Sequence, residues 1–208
     1  ITLITPDSER TFATHLGAAV YFAKDDVPED EIRAAGALHV EGYMLEGAMK
    51  EATLHAMETA RKSGVKVSID LADPSLVGRN LDEFGRIARD YADILYANED
   101  EAAAFTGRSG EKALDVMASL CGIAVVKLGE KGSLIRSGTA SFRVEPFKVP
   151  VVNTNGAGDM FAAGMLYGLA RGLGLDMAGR VASYAASRVV SQVGARLSSR
   201  LDLGQIGM

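Results

Sequence analysis

The chain of 208 residues is expected to form an α/β fold, a three-layer arrangement with a mostly parallel sheet and helices on both faces. Three observations predict it. Short apolar runs alternate with segments of helical period along most of the length. The helical segments run to about 10–15 residues, long enough for right-handed crossovers between parallel strands. No repeat, low-complexity segment or linker interrupts the pattern, so residues 1–208 read as one domain.

Taken in order, Ile1–Thr5 and Thr11–Leu16 read as short strands around a turn at Pro6-Asp7-Ser8. Glu29–Ala35 reads as a helix opened by Pro28, and Ala37–Val40 as a buried strand ending at Glu41-Gly42. Ala48–Lys62 is helical by spacing and is closed by Ser63-Gly64. Val65–Ile69 alternates as a strand and delivers Asp70 at its end. Leu81–Tyr91 carries Leu81, Phe84, Ile87 and Ala88 on one helical face. A strand at Asp93–Ala97 then leads into a helix at Glu99–Phe105, and a helix at Glu111–Leu120 into a strand at Ile123–Leu128. Ser133–Arg136 and Ser141–Val144, joined around Ser137-Gly138-Thr139, read as a hairpin. Val151-Val152 is taken as strand-like, ending at Asn153, before two last helices, Gly158–Arg171 and Leu175–Gln192.

Composition narrows the function classes. A formal net charge of −5 argues against a nucleic-acid partner, which calls for a basic surface. No apolar run reaches the roughly 20 residues needed to cross a bilayer, and no basic segment precedes an apolar core as in a signal peptide. The lone Cys121, in an apolar stretch, is expected to be a buried thiol, in keeping with a reducing, cytoplasmic setting. His15, His39 and His55 show neither metal-ligand spacing nor a triad pattern. The first residue falls inside a β-like run, so further residues are expected before Ile1.

The segment Val151–Phe161 carries the chemistry. A small-residue turn, Asn153-Thr154-Asn155-Gly156-Ala157-Gly158, opens directly into the apolar helix from Met160. Uncovered backbone N–H groups and the positive end of the helix dipole make such a start an anion site. Asp159 sets a carboxylate beside it, where charge repulsion with a phosphate is tolerable if the carboxylate accepts a proton from an attacking hydroxyl. In an open α/β sheet ligands lie beyond the C-terminal strand ends, and Asp70, Asn98, Gly129 and Asn153 all fall at such positions. The dinucleotide fingerprint is missing, because Phe161 stands where its third glycine belongs. Gly129-Glu130-Lys131-Gly132-Ser133 has the residue types of a phosphate loop at the wrong spacing. Asp70 and Asp73 are read chiefly as caps, Asp73 of the loop before Pro74.

Val152–Gly164 resembles the C-terminal signature of PfkB (ribokinase-like) carbohydrate kinases, Asp-Thr-x-Gly-Ala-Gly-Asp followed by phenylalanine two residues on. Asn98-Glu99-Asp100-Glu101 is similar to that family's Asn-x-x-Glu element, and Lys127-Leu128-Gly129-Glu130-Lys131-Gly132 to its nucleotide-side turn. Ala182–Ala195 resembles the closing helix. The resemblance implies a ribokinase-like fold and an ATP-dependent kinase acting on a hydroxymethyl group of a sugar or nucleoside. Asp159 would be the base, and the N–H groups of Gly156, Ala157 and Gly158 the anion hole. Gly129, Gly132 and Asn155 would serve the nucleotide, and Asn98 and Glu101 a Mg²⁺-and-water network. Lys127 departs from the small hydroxyl residues common at its position and is read either as positive charge for the phosphates, in the nucleotide set, or as a lysine solvated at a strand end. Asn153 stands where the family usually has an aspartate that helps bind a monovalent cation, so potassium activation is not expected. No Gly-Gly pair occurs, so the family's acceptor-binding N-terminal part and its β-sheet lid are expected to be missing, together with any homodimer formed through the lid. The Thr154-Asn155-Gly156 wording and Arg10-Thr11 with Leu16-Gly17-Ala18 lean toward the adenosine-kinase-like branch, and Arg10 is a candidate for facing the acceptor. A non-catalytic nucleotide-binding fragment is the alternative reading, with an unrelated oxidoreductase behind it.

Overall fold

The computed structural model describes residues 1–4 and 10–207; the turn expected at Pro6-Asp7-Ser8 lies outside them, as does the side chain of Arg10. Strands β1 (Thr2–Ile4) and β2 (Arg10–Phe12) pair antiparallel as a sheet of their own. Helix α1 (Glu29–Ala34), strand β3 (Ala37–Glu41), helix α2 (Lys50–Lys62) and strand β4 (Lys66–Asp70) follow. Next come helices α3 (Pro74–Arg79) and α4 (Leu81–Tyr91), strand β5 (Ile94–Asn98), and helices α5 (Glu99–Thr106) and α6 (Gly110–Ala118). Strands β6 (Ile123–Lys127), β7 (Ser133–Ser137) and β8 (Ala140–Val144) precede helices α7 (Ala157–Ala170) and α8 (Leu175–Val190). The larger sheet has the order β3-β4-β5-β6-β7-β8, with β3 through β6 parallel.

Three expectations are corrected. The second strand, expected over Thr11–Leu16, spans only Arg10–Phe12, and a 3₁₀ turn at Gly17–Tyr21 follows. Asp73 caps a helix, α3, where a loop was expected: its carboxylate accepts the Leu76 N–H at 2.7 Å, and Pro74 occupies the first turn. Val151–Asn153 is not a strand: the N–H groups of Val152 and Asn153 turn to the Val190 carbonyl at the end of α8 (2.8 and 3.3 Å), and both valines are exposed. β-Branched residues gave a strand signal there, but two residues without a ladder partner cannot make one.

The described residues form two compact units. One comprises residues 16–128 and 134–141, the other residues 1–15, 129–133 and 142–207. In the first, β5 is buried along Ile94–Ala97, as expected of a parallel strand covered on both faces. Its core adds Val67 and Ile69 of β4, Met57 of α2, Phe84 and Ile87 of α4, and Leu114 and Met117 of α6. Gly138 and Thr139 connect β7 to β8, a two-residue link that only an antiparallel hairpin allows.

In the second unit α7 and α8 are joined by a short turn in which Leu173 N–H donates to the Gly168 carbonyl at 3.0 Å. The two helices approach so closely that a Cβ on Gly164 or Gly168 would lie 2.7 Å from the Cα of Ala182 or Ala178. Tyr184 of α8 meets Phe147 edge-on at 5.3 Å and packs with Ile206. Among the described residues no helix is long and apolar enough to cross a membrane.

The helix contact gives a stability prediction. Gly164→Ala should destabilise by about 1–3 kcal/mol through overpacking, read as a lower urea midpoint. Gly85→Ala, in the interior of α4 with open space around its Cβ, should instead stabilise by about 1 kcal/mol.

Candidate active site

In the first unit the site is built by strand register. Asp70 ends β4, Asn98 ends β5 and Lys127 ends β6; Asp70 is the register partner of Tyr96, and Asn98 of Lys127. Tyr96 and Asn98 are two residues apart on β5, so all four side chains leave the same face of the sheet. The Lys127 ammonium crosses the end of β5 and donates to Asp70 Oδ2 at 2.5 Å, with the two side chains 15% and 9% exposed.

Asn98 is also the N-cap of α5, which starts with no intervening loop. Its Oδ1 accepts the Glu101 N–H at 2.8 Å; Glu101 returns the contact, accepting the Asn98 backbone N–H at 2.7 Å and its Nδ2 at 2.6 Å. This reciprocal box holds a carboxylate that is only 3% exposed. Burial pushes the Glu101 carboxyl up from its ordinary range; the Lys127 ammonium opposes this, and the Asp70 carboxylate adds to it.

In the second unit Gly129 and Gly132 bracket a 3₁₀ turn, closed by Gly132 N–H to the Gly129 carbonyl at 3.1 Å. Gly132 has φ +88°, and a Cβ there would run into the Val144 carbonyl, so no other residue fits. Asn153 is buried and uses both ends of its amide: Nδ2 donates to the Gln192 carbonyl at 2.7 Å, and Oδ1 accepts the Asn155 N–H at 2.9 Å. Gly156 follows with φ +77° as the N-cap of α7; a Cβ would lie 2.5 Å from the Ala195 carbonyl oxygen. Its own carbonyl accepts the Met160 N–H at 2.9 Å, and Ala157 N–H donates to the Thr154 carbonyl at 3.3 Å. Gly158 and Asp159 occupy the first turn, where helix geometry gives N–H groups no partner within the helix. The Asp159 side chain is exposed and makes no hydrogen bond or ion pair among the described residues.

The first unit thus gathers Asn98, Glu101 and Lys127, and the second carries Gly129, Gly132, Asn155, Gly156, Ala157, Gly158 and Asp159. Asp70, read from the sequence chiefly as a cap, is the addition to the first group. The signal for it was available: a carboxylate closing the strand that neighbours the Asn98 strand. The thiol expected to be buried is half-buried: Cys121 packs against the core, and its partial burial pushes the thiol up to about 12. His39 and His55 engage Ser68 and Glu29 at 3.0 and 2.6 Å, partners that give each a structural place. A cleft of about 440 Å³ bordered by Leu81, Arg86, Arg89, Phe105, Val116 and Leu120 includes none of the strand-end residues.

For Mg²⁺ the donor chemistry fits in a limited sense. Asn98 and Glu101 offer oxygen, and no group of three or more carboxylate, histidine or cysteine side chains that could cage a metal occurs among the described residues. The oxygens of Asn98 and Glu101, the donor type a hard cation takes, lie together at the end of β5, each already accepting a hydrogen bond within the box.

Glu101 carries a pH prediction. A folded-state pKa raised above the unfolded value means that its contribution to stability is most favourable at low pH and is lost as pH rises through the raised pKa. Glu101→Gln keeps an acceptor for the Asn98 backbone. Urea unfolding at about pH 5 and about pH 7 should show the variant gaining on the wild type at the higher pH.

The chain is similar to proteins already known. A 5-dehydro-2-deoxygluconokinase of Bacillus licheniformis is 32% identical over 184 residues, which are 84% of this chain and 57% of that protein. The crystal structure of a probable sugar kinase from Rhizobium etli superposes with a TM-score of 0.94 at 35% identity, over 99% of this chain and 64% of that one. The adenosine kinase of Sinorhizobium meliloti gives 0.91 at 33% identity, over 95% and 62%. The chain therefore spans less than two thirds of the length of each, and the ribokinase-like fold expected from the sequence is met. The family model for pfkB carbohydrate kinases matches residues 1–201, and the chain belongs to that family.

Proposed function

We propose that the protein to which this chain belongs transfers the γ-phosphoryl group of ATP to a hydroxymethyl group of a sugar or nucleoside. The observation that carries this reading is the start of α7: a left-handed Gly156 packed against Ala195, followed three residues later by an exposed carboxylate. Asp159 accepts the proton of the acceptor hydroxyl as it attacks phosphorus. The Gly156–Gly158 backbone, at the positive end of the α7 dipole, receives the charge that builds on the transferring phosphoryl oxygens. Gly129 and Gly132 let the backbone pass close to the nucleotide, with Asn155 in the same binding set.

In the first unit Lys127 supplies positive charge toward the phosphates, and Asn98 and Glu101 hold the Mg²⁺-and-water network. Bound Mg²⁺ neutralises phosphate charge, the ordinary service of a hard cation in phosphoryl transfer. The acceptor is a small molecule; neither nucleic acid nor membrane enters the reaction, and dimerisation through a β-sheet lid belongs to the proposal. The curated relative named for a sugar-derived substrate and the structure named for adenosine define the acceptors to screen.

Coupled ADP release from the full-length protein, over hexoses, sugar acids, pentoses and nucleosides, tests the reading; turnover with none of them would refute it. Asp159→Asn should lower kcat by about 10²–10⁴-fold while leaving the ATP dissociation constant near the wild-type value. Potassium and sodium should support equal rates. The Asn153 amide already satisfies the Gln192 carbonyl and the Asn155 N–H, two groups that a charged aspartate could not both serve. A severalfold preference for potassium would count against that assignment.

A further inference from the structure

We infer that Asp70 is a positioning residue for the nucleotide: it fixes the Lys127 ammonium at the strand ends so that the remaining N–H donors of Lys127 are available to phosphate oxygens. The inference rests on the kinase reading above and adds to it a residue that reaches the phosphates only through Lys127.

Lysine is a poor anchor by itself, because four rotatable bonds let its ammonium sample many places. Here it is held by one contact across β5, from β6 to β4, to Asp70 Oδ2 at 2.5 Å. Asp70 is itself restrained. Its other oxygen accepts the Ala72 N–H at 3.3 Å, and Ala72 takes φ +69°, a backbone conformation that residues other than glycine seldom adopt. The loop around it is tied on both sides, by Leu71 N–H to the Tyr96 carbonyl at 3.0 Å and Asp73 N–H to the Leu71 carbonyl at 2.9 Å. Asp73 then caps α3. A strained residue held by its surroundings, a carboxylate fixed by that residue and an ammonium fixed by the carboxylate form a chain of restraint with one flexible link, Lys127.

The pairing also leaves the ammonium unsaturated. A lysine has three donors, and the contact to Asp70 uses one. The side chain is 15% exposed, so the head is shielded yet not sealed. Lys127 stands close enough to Glu101 to pull its carboxyl toward the charged form, while Asp70 pushes the other way. Two carboxyl groups and one ammonium therefore gather at the ends of β4, β5 and β6, where an incoming cation–phosphate group can meet partners for both its signs. Simple neutralisation of a buried lysine would need only a carboxylate nearby. It would not need one whose second oxygen is tied to a strained backbone.

A double-mutant cycle on the full-length protein separates positioning from neutralisation. ATP dissociation constants are measured by calorimetry with Mg²⁺ for the wild type, Asp70→Asn, Lys127→Met and the double variant, with Asp70→Glu as the conservative rescue. The expectation is that Asp70→Asn weakens ATP about tenfold, the scale of one lost charge-assisted contact. In the Lys127→Met background the same change should have no further effect, and adenosine affinity should stay unchanged throughout. Asp70→Glu should recover most of the loss. Thermal midpoints are recorded alongside, and the Asp70→Asn/Lys127→Met pair, which leaves no unpaired charge, covers the case in which a single variant folds poorly. An Asp70→Asn effect of equal size in both backgrounds, or one confined to the thermal midpoint, would overturn the inference while the wild type still turned over. A wild type that bound no nucleotide would overturn the kinase reading and this inference with it.

Discussion

The register of three parallel strands governs what the first unit can do. With Asp70 opposite Tyr96 and Asn98 opposite Lys127, the pleat sends a carboxylate, an amide and an ammonium out of one face at one end of the sheet. A slip of one residue in β4 or β6 would send Asp70 or Lys127 to the opposite face and strand it there without its partner. The apolar strand interiors enforce the register, because Ile69, Leu95 and Val126 have to stay in the core. Hydrophobic burial along the strands thus fixes where the polar termini lie.

Burying those termini has a cost, and the local bonding shows how it is offset. A carboxylate such as Glu101 is seldom found so well shielded unless hydrogen-bonded or paired. The capping box supplies two donors from one residue, Asn98, and Lys127 supplies nearby positive charge. The offset is incomplete, since the carboxyl remains harder to ionise than in water. Under the proposed function, a bound cation would make up that shortfall.

Much of this was legible in the sequence, because the signals were local. The alternation in Val65–Ile69 and the one-sided pattern of Leu81–Tyr91 depend on neighbours a few residues away, and both elements appear where expected, to within a residue. The Asn98–Glu101 box was visible as a spacing, although the sequence offered it through family resemblance and left open that the two side chains bind each other. Val151-Val152 misled because β propensity describes packing on a pleated surface, and no neighbouring strand receives these residues. Helix α3 was missed because its six residues give too little periodicity, while Asp73-Pro74 fits a loop as well as a helix start. The Asp70–Lys127 contact joins residues 57 apart, and no local pattern announces a pairing at that distance.

The second unit secures its candidate groups differently, through backbone shape. Gly132 and Gly156 both take positive φ, and each has a carbonyl where a Cβ would stand, from Val144 and Ala195 respectively. These are close approaches of main chain to main chain, and they fix the turn more rigidly than side-chain packing could. The buried Asn153 amide adds a third tie by joining the turn to the Gln192 carbonyl just beyond α8. α7 in turn is held against α8 through Gly164 and Gly168, so the peptide dipoles at its N-terminus belong to a body that cannot easily tilt. Asp159 then needs no partner to hold its place, since the helix that carries it is already fixed. Among the described residues its carboxylate makes no hydrogen bond or ion pair, so under the proposed function its lone pairs would be open to the proton of the acceptor hydroxyl.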